Sequence, residues 1–197
     1  MDKKLTTPFD KAIATIDAHN AEDPNYEMVD GTKIPKELLY SQRMTRRLEL
    51  FAPEVSQELK IAARAQHICR WKHPRENYTM DRIGYLKWRE DLKNIHAELT
   101  GSLLKEFHFE EKFIERVQFL IKKKKIKKDE ESQILEDVIC LVFLHYYFED
   151  FAAKHPEPKI IEILQKTWAK MSDKGHEAAL QLPLSQTTLD LVNKALA

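Results

Sequence analysis

The chain has 197 residues, 43% of them hydrophobic, with 32 Lys+Arg set against 32 Asp+Glu. The length fits one domain of ordinary size, and the zero formal net charge argues against a generic polyanion binder and against an extended disordered chain. Only four glycines occur, with no GxGxxG and no GxxxxGK, which disfavours sheets, tight hairpins and phosphate-cradling glycine loops.

The hydrophobic pattern is helical nearly throughout. A first helix is expected from Phe9 to about His19, with Thr7 as cap and Pro8 at its first position. Residues 20–35 hold two prolines and a glycine and read as a loop. Pro35 opens a helix to about Phe51, and Pro53 opens another to about Trp71. Residues 72–79 form a second loop. A long helix follows, roughly Asp81 to Phe107, with Gly101 as a candidate break. Further helices are expected at 110–122, 131–154, about 159–171 and 185–196. Together these predict an all-α fold: a single compact multi-helix domain over 1–197, with a core of about 36–154 and C-terminal helices at 157–197.

Two cysteines, Cys69 and Cys140, cannot frame a disulfide scaffold and read as buried thiols. The start, MDKKLTTPFD, lacks an apolar signal region, and no apolar run reaches about 18 residues. The expectation is a cytoplasmic protein with no membrane span. No HExxH, GxSxG or zinc spacing occurs.

Polar residues on apolar helical stripes carry the functional information, because burying them costs free energy unless they find partners. Asp137 lies on the stripe Ile134, Asp137, Leu141, Leu144, Phe148, and needs a cation, a metal or several donors if buried. His96 lies on Leu92, His96, Leu99, Leu103. His67 sits among Arg64, Gln66, Arg70 and Trp71, a dense set of donors late in a helix. The stretch 70–89 interleaves cations with aromatics, and Arg82, Tyr85 and Arg89 share a helix face. Trp71, Tyr78 and Trp88 are candidates to stack on a base or a guanidinium, and arginine forks match phosphate or carboxylate. The run Lys122–Lys128 is better read as a solvated helix end, although one of its lysines, Lys124, could reach a phosphate.

Two resemblances follow from these residues. Tyr40-Ser41-Gln42-Arg43-Met44, Ala65-Gln66-His67-Ile68, His96-Ala97-Glu98-Leu99 and Glu136-Asp137 fall in the order of the motifs of the HD phosphohydrolase superfamily, which this chain distantly resembles. That resemblance implies a helical fold, a divalent metal (Mn, Fe or Zn) and hydrolysis of a phosphorylated substrate. Tyr40 and Ile68 stand where the family has a ligand His and a ligand Asp. The second resemblance covers nearly the whole chain. It rests on residues 20–24, 39–44, 63–71, 84–89, 135–137 and 166–172, which resemble a family of small bacterial and fungal proteins described only as a domain of unknown function. Some fungal members carry the label glutamyl-tRNA synthetase. No HIGH-like signature occurs here, and Lys170-Met171-Ser172 is only a fragment of a KMSK-like one.

Two functions are therefore expected. The first is an HD-like hydrolase acting on a phosphorylated or nucleotide-like small molecule. Its centre would be His67, His96 and Asp137, as catalytic residues and metal ligands, with Asp23 or Glu98 replacing lost ligands. Arg43, Arg64, Arg70, Arg75 and Lys124 would hold phosphate. The second is a non-catalytic module that senses an anionic ligand or RNA through Arg70, Trp71, Arg82 and Trp88.

Overall fold

A computed structural model describes residues 7–196. Among them are ten α-helices, two short 3₁₀ turns and one two-stranded sheet, so the fold is all-α. Among the described residues, no helix is long and apolar enough to cross a membrane. The chain forms two compact units. One holds residues up to Arg46 together with Glu54–Lys124; the other holds Arg47–Pro53 and the residues from Lys125 onward.

The first unit begins with α1 (Pro8–Ala21), whose start follows the sequence signals: Thr7 accepts from the Asp10 amide, Asp10 reaches back to the Thr7 amide, and Pro8 sits in the first turn. Residues 26–35, read from sequence as loop, form an antiparallel hairpin of β1 (Tyr26–Val29) and β2 (Thr32–Pro35). The reason is the two-residue connection Asp30-Gly31, both at positive φ (48° and 76°), whose twist matches that of paired strands. Helix α2 (Lys36–Phe51) follows.

Helix α3 (Gln57–Arg64), capped by Ser56, is less than half the length expected for 53–71. Residues 65–69 form turns and Arg70–Lys72 a 3₁₀ turn, with Cys69 at φ 53°. The left-handed Cys69 ends the helical path, and its amide donates to Oδ1 of buried Asn20 at 3.0 Å. Helix α4 (Arg82–Glu106), capped by Asp81, runs through Gly101 without a break. There the Gln118 side chain, from α5 (Glu111–Ile121), crosses and donates to the Ala97 carbonyl at 3.1 Å. Helices α1, α3, α4 and α5 pack together. Ile16, Leu59, Ile61, Leu104, Ile114 and Leu120 are fully buried in their contacts.

The second unit is built on α6 (Glu130–Tyr146), capped by Asp129 and apolar on most of its surface. Tyr147 interrupts the expected 131–154 helix, and α7 (Phe148–Ala152) follows. Helix α8 (Glu157–Trp168) packs against α10 (Gln186–Leu196). Between them in sequence comes α9 (Asp173–Leu180), which the apolar periodicity did not flag, packed on α6. Both cysteines are free and buried.

Candidate functional site

The residues with the most perturbed chemistry gather in the first unit, around His67. Glu37, in the first turn of α2, is buried, and its Oε2 lies 3.2 Å from His67 Nδ1. Tyr40, one turn on, stacks flat on the imidazole with ring centroids 3.8 Å apart and 10° between planes. His96 of α4 approaches the same ring at 6.1 Å. Arg70 places Nη1 3.4 Å from His67 Nδ1 and lays its guanidinium over the Trp88 ring at 5.0 Å. The Trp88 indole is itself fixed by a 2.9 Å bond from Nε1 to the His73 carbonyl.

Burial and charge act together here. Burial pushes the Glu37 carboxyl up, partly opposed by Arg70, His96 and Lys36. The His67 imidazole is held well below the ordinary histidine range, first by burial and then by Arg70, Lys123, Arg89 and Lys36. A quarter of its side-chain surface still faces solvent. His96, 3% exposed, is pressed down to about 3 by burial, then by His67 and Arg70. It donates to the Gln66 backbone carbonyl, and its Nε2 is buried with no hydrogen-bond partner. At neutral pH the site is therefore two uncharged imidazoles beside a carboxyl, in a field of four cations. Arg70 forms no ion pair among the described residues; its charge acts on Glu37, His67 and His96.

The other candidates are placed as follows. Arg43 pairs with Glu27 at 2.7 Å, and Arg64 grips Asp17 with two bonds of 2.6 Å. Arg75 donates to the carbonyls of Tyr78, Thr79 and Asp81, tying down the loop before α4. Trp71 is half-buried under Lys72, Arg82 is exposed at the start of α4, and Lys124 is exposed. Asp23 is buried and spends its carboxylate locally: Oδ2 accepts from the Glu37 amide at 3.0 Å and Oδ1 from Asn25. Glu98 is exposed.

Asp137 belongs to the second unit, whereas His67 and His96 belong to the first. The Asp137 carboxylate is 1% exposed and accepts from the Ser172 amide (2.8 Å), the Ser172 hydroxyl (2.6 Å) and Gln133 Nε2 (3.1 Å). Ser172 also caps α9 by accepting from the Gly175 amide. A side chain at Gly175 would put its Cβ 2.6 Å from Asp137 Oδ1, so glycine is what allows the helix start to sit on the carboxylate. Among the described residues, no group of three or more His, Cys, Asp or Glu is arranged to hold a metal ion.

Sequence reasoning missed Glu37. Its signal was available: the stripe Tyr40, Met44, Leu48, extended one turn back, lands on Glu37 at the helical spacing of three.

Residues 10–192 match the model of the family described as Domain of unknown function (DUF4202). The chain belongs to that family. The match spans both units, and so takes in the His67 cluster together with the Asp137–Ser172 junction. No curated protein and no solved structure shows a match to the chain.

Proposed function

We propose that this member of the family is a hydrolase of a phosphorylated or nucleotide-like small molecule, with His67 as the proton acceptor. The observation that carries this reading is the Glu37–His67 pair at 3.2 Å, lying beside an Arg70 that has no ion-pair partner among the described residues. Arg70, with Lys36, Arg89 and Lys123 around it, would bind the phosphate oxygens. Glu37 would orient the His67 ring, leaving its far nitrogen to take a proton from an attacking water. The low basicity of His67 fits this role only when ligand is bound. A phosphate dianion beside Arg70 would offset the cationic part of that depression, the part second to burial, and so raise the basicity of His67.

The distant HD-like resemblance supports a hydrolytic reading, but its metal set is not part of this one. Asp137 has its carboxylate bonded to Ser172 and Gln133, and no step here is routed through a metal. The two buried free thiols support a reducing compartment, which we take to be the cytoplasm.

Phosphate release from nucleoside monophosphates and other phosphate monoesters tests the proposal. Turnover should survive chelator treatment and fall at least about a hundredfold in His67→Ala, in line with the usual contribution of general acid–base catalysis. Activity lost to chelator and restored by Mn, Fe or Zn would replace this reading with the metal-dependent one.

One observation favours a second reading. In the unliganded protein His67 is a weak base, which suits a module that binds without reacting. Thermal stabilisation by nucleotides, absent in Arg70→Ala and unaccompanied by turnover, would select it. Stabilisation by RNA that fell steeply with added salt would extend it to a nucleic-acid ligand.

A further inference from the structure

The second unit carries an arginine that has no ion-pair partner among the described residues. Arg47, near the end of α2, sends Nη2 to within 2.6 Å of His145 Nδ1. A guanidinium only donates, so Nδ1 must accept, and the His145 ring bears its proton on the other nitrogen and is uncharged. Arg47 Nε is buried with no hydrogen-bond partner, and Arg47 forms no ion pair among the described residues. A half-buried guanidinium with one imidazole partner and a buried, unbonded Nε keeps donor capacity for a further acceptor.

Arg47 lines a cavity of about 410 Å³, within the size range of small-molecule sites. Leu50, Phe51, Leu141 and Pro183 supply apolar wall. Leu141 is fully buried at its base, while Leu50 is 68% exposed at its edge. The ionisable lining is Arg47, Lys174 and Glu177, which leaves one net positive charge. Lys174 lies over the Phe51 ring at 4.7 Å. A second cavity of about 580 Å³ in this unit is lined by four carboxylates against three lysines, so it does not attract an anion.

We infer that the cavity at Arg47 is a binding site for a small amphipathic monocarboxylate, with its carboxylate on the Arg47 guanidinium and its apolar body against Leu50, Phe51 and Leu141. A single negative charge matches the net charge of the lining, whereas Glu177 opposes a second. This makes a phosphate dianion the poorer occupant. An uncharged apolar ligand would fill the walls and leave Arg47 as it is, which predicts weaker binding. The site is separate from the His67 cluster and does not depend on the hydrolase reading.

Isothermal titration of the full chain with octanoate tests this, with octanol and inorganic phosphate as controls. Saturable octanoate binding is expected, with octanol at least tenfold weaker and phosphate showing no heat at the site. Arg47→Met should weaken octanoate at least tenfold. Because that change also removes the bond to His145, Leu50→Glu at the exposed edge serves as a second variant. It leaves the packed interior intact, sets a carboxylate beside the entrance, and should weaken octanoate by a similar factor. Arg70→Ala should leave octanoate affinity unchanged. No octanoate binding at millimolar concentration, octanol binding as tightly as octanoate, or phosphate competing with octanoate would each overturn the assignment.

Discussion

Glu37 and Asp137 are both acids on otherwise apolar helical stripes, and the protein treats them in opposite ways. Asp137 receives three donors and the first turn of α9, so its charge is matched and it fastens one helix to another. Glu37 receives one imidazole at 3.2 Å, and burial pushes its carboxyl up. An acid inside a helix stripe says that something must answer it. Only the count of donors that the fold brings says whether the answer is architecture or chemistry.

Removing Asp137 should have the largest effect on stability. Asp137→Ala leaves the Ser172 amide and hydroxyl without their acceptor and takes one of the two acceptors of Gln133, and an expected loss of about 3–5 kcal/mol should appear in urea unfolding. A loss below about 1 kcal/mol would break the contrast with Glu37. Gly175→Ala comes next. In an ordinary helix the change would stabilise by up to about 1 kcal/mol, but here the new Cβ meets Asp137 Oδ1, so a destabilisation of roughly 1–3 kcal/mol is expected in the same assay.

The third prediction is a pH slope in the first unit. His96 is held at about 3 in the folded chain, so below about 6.5 the unfolded chain takes a proton that the folded one refuses. Stability should therefore fall as pH drops from about 6.5 toward 3, by about 1.4 kcal/mol per pH unit from this residue. His67 adds in the same direction. Glu37 acts oppositely: its raised pKa gives stability that is present at low pH and is lost as pH rises through the folded value. The slope measured between pH 6 and 4 should flatten by about one histidine's worth in His96→Leu. An unchanged slope would show that His96 is not buried neutral.

The smallest change in stability is expected at Glu37 itself. Glu37→Gln keeps the shape and removes a strained charge, so unfolding should shift by less than about 1 kcal/mol. Turnover under the proposed function should nonetheless fall by about tenfold, because the ring of His67 loses its orienting carboxylate. An equal loss of stability in Glu37→Gln and Asp137→Ala would erase the distinction between the two acids.

Much of the helical fold was legible because apolar spacing, proline starts and the Thr7 cap are local signals. The hairpin was not, because Asp30-Gly31 was weighed as loop composition instead of as a two-residue turn. The turns that follow α3 set the Cys69 amide on Asn20, a contact across 49 positions that no local window contains. At the site, His67, His96 and Arg70 stood out as polar groups on or beside stripes, and the structure brings them together. Arg43 and Arg64 looked equally available as isolated residues. Their partners Glu27 and Asp17 lie 16 and 47 residues away, and only the fold reveals that they are taken.

The bond from the Glu37 amide to Asp23 has one more consequence. Asp23 spends its carboxylate on backbone and side-chain donors, and so fixes the first turn from which Glu37 projects. A substitution map should therefore mark position 23 as sensitive in both catalysis and stability, because Asp23→Ala also leaves the Glu37 and Asn25 donors without their acceptor. In combination, Asp23→Ala and Glu37→Gln should show strong epistasis, the second change adding almost nothing to the first.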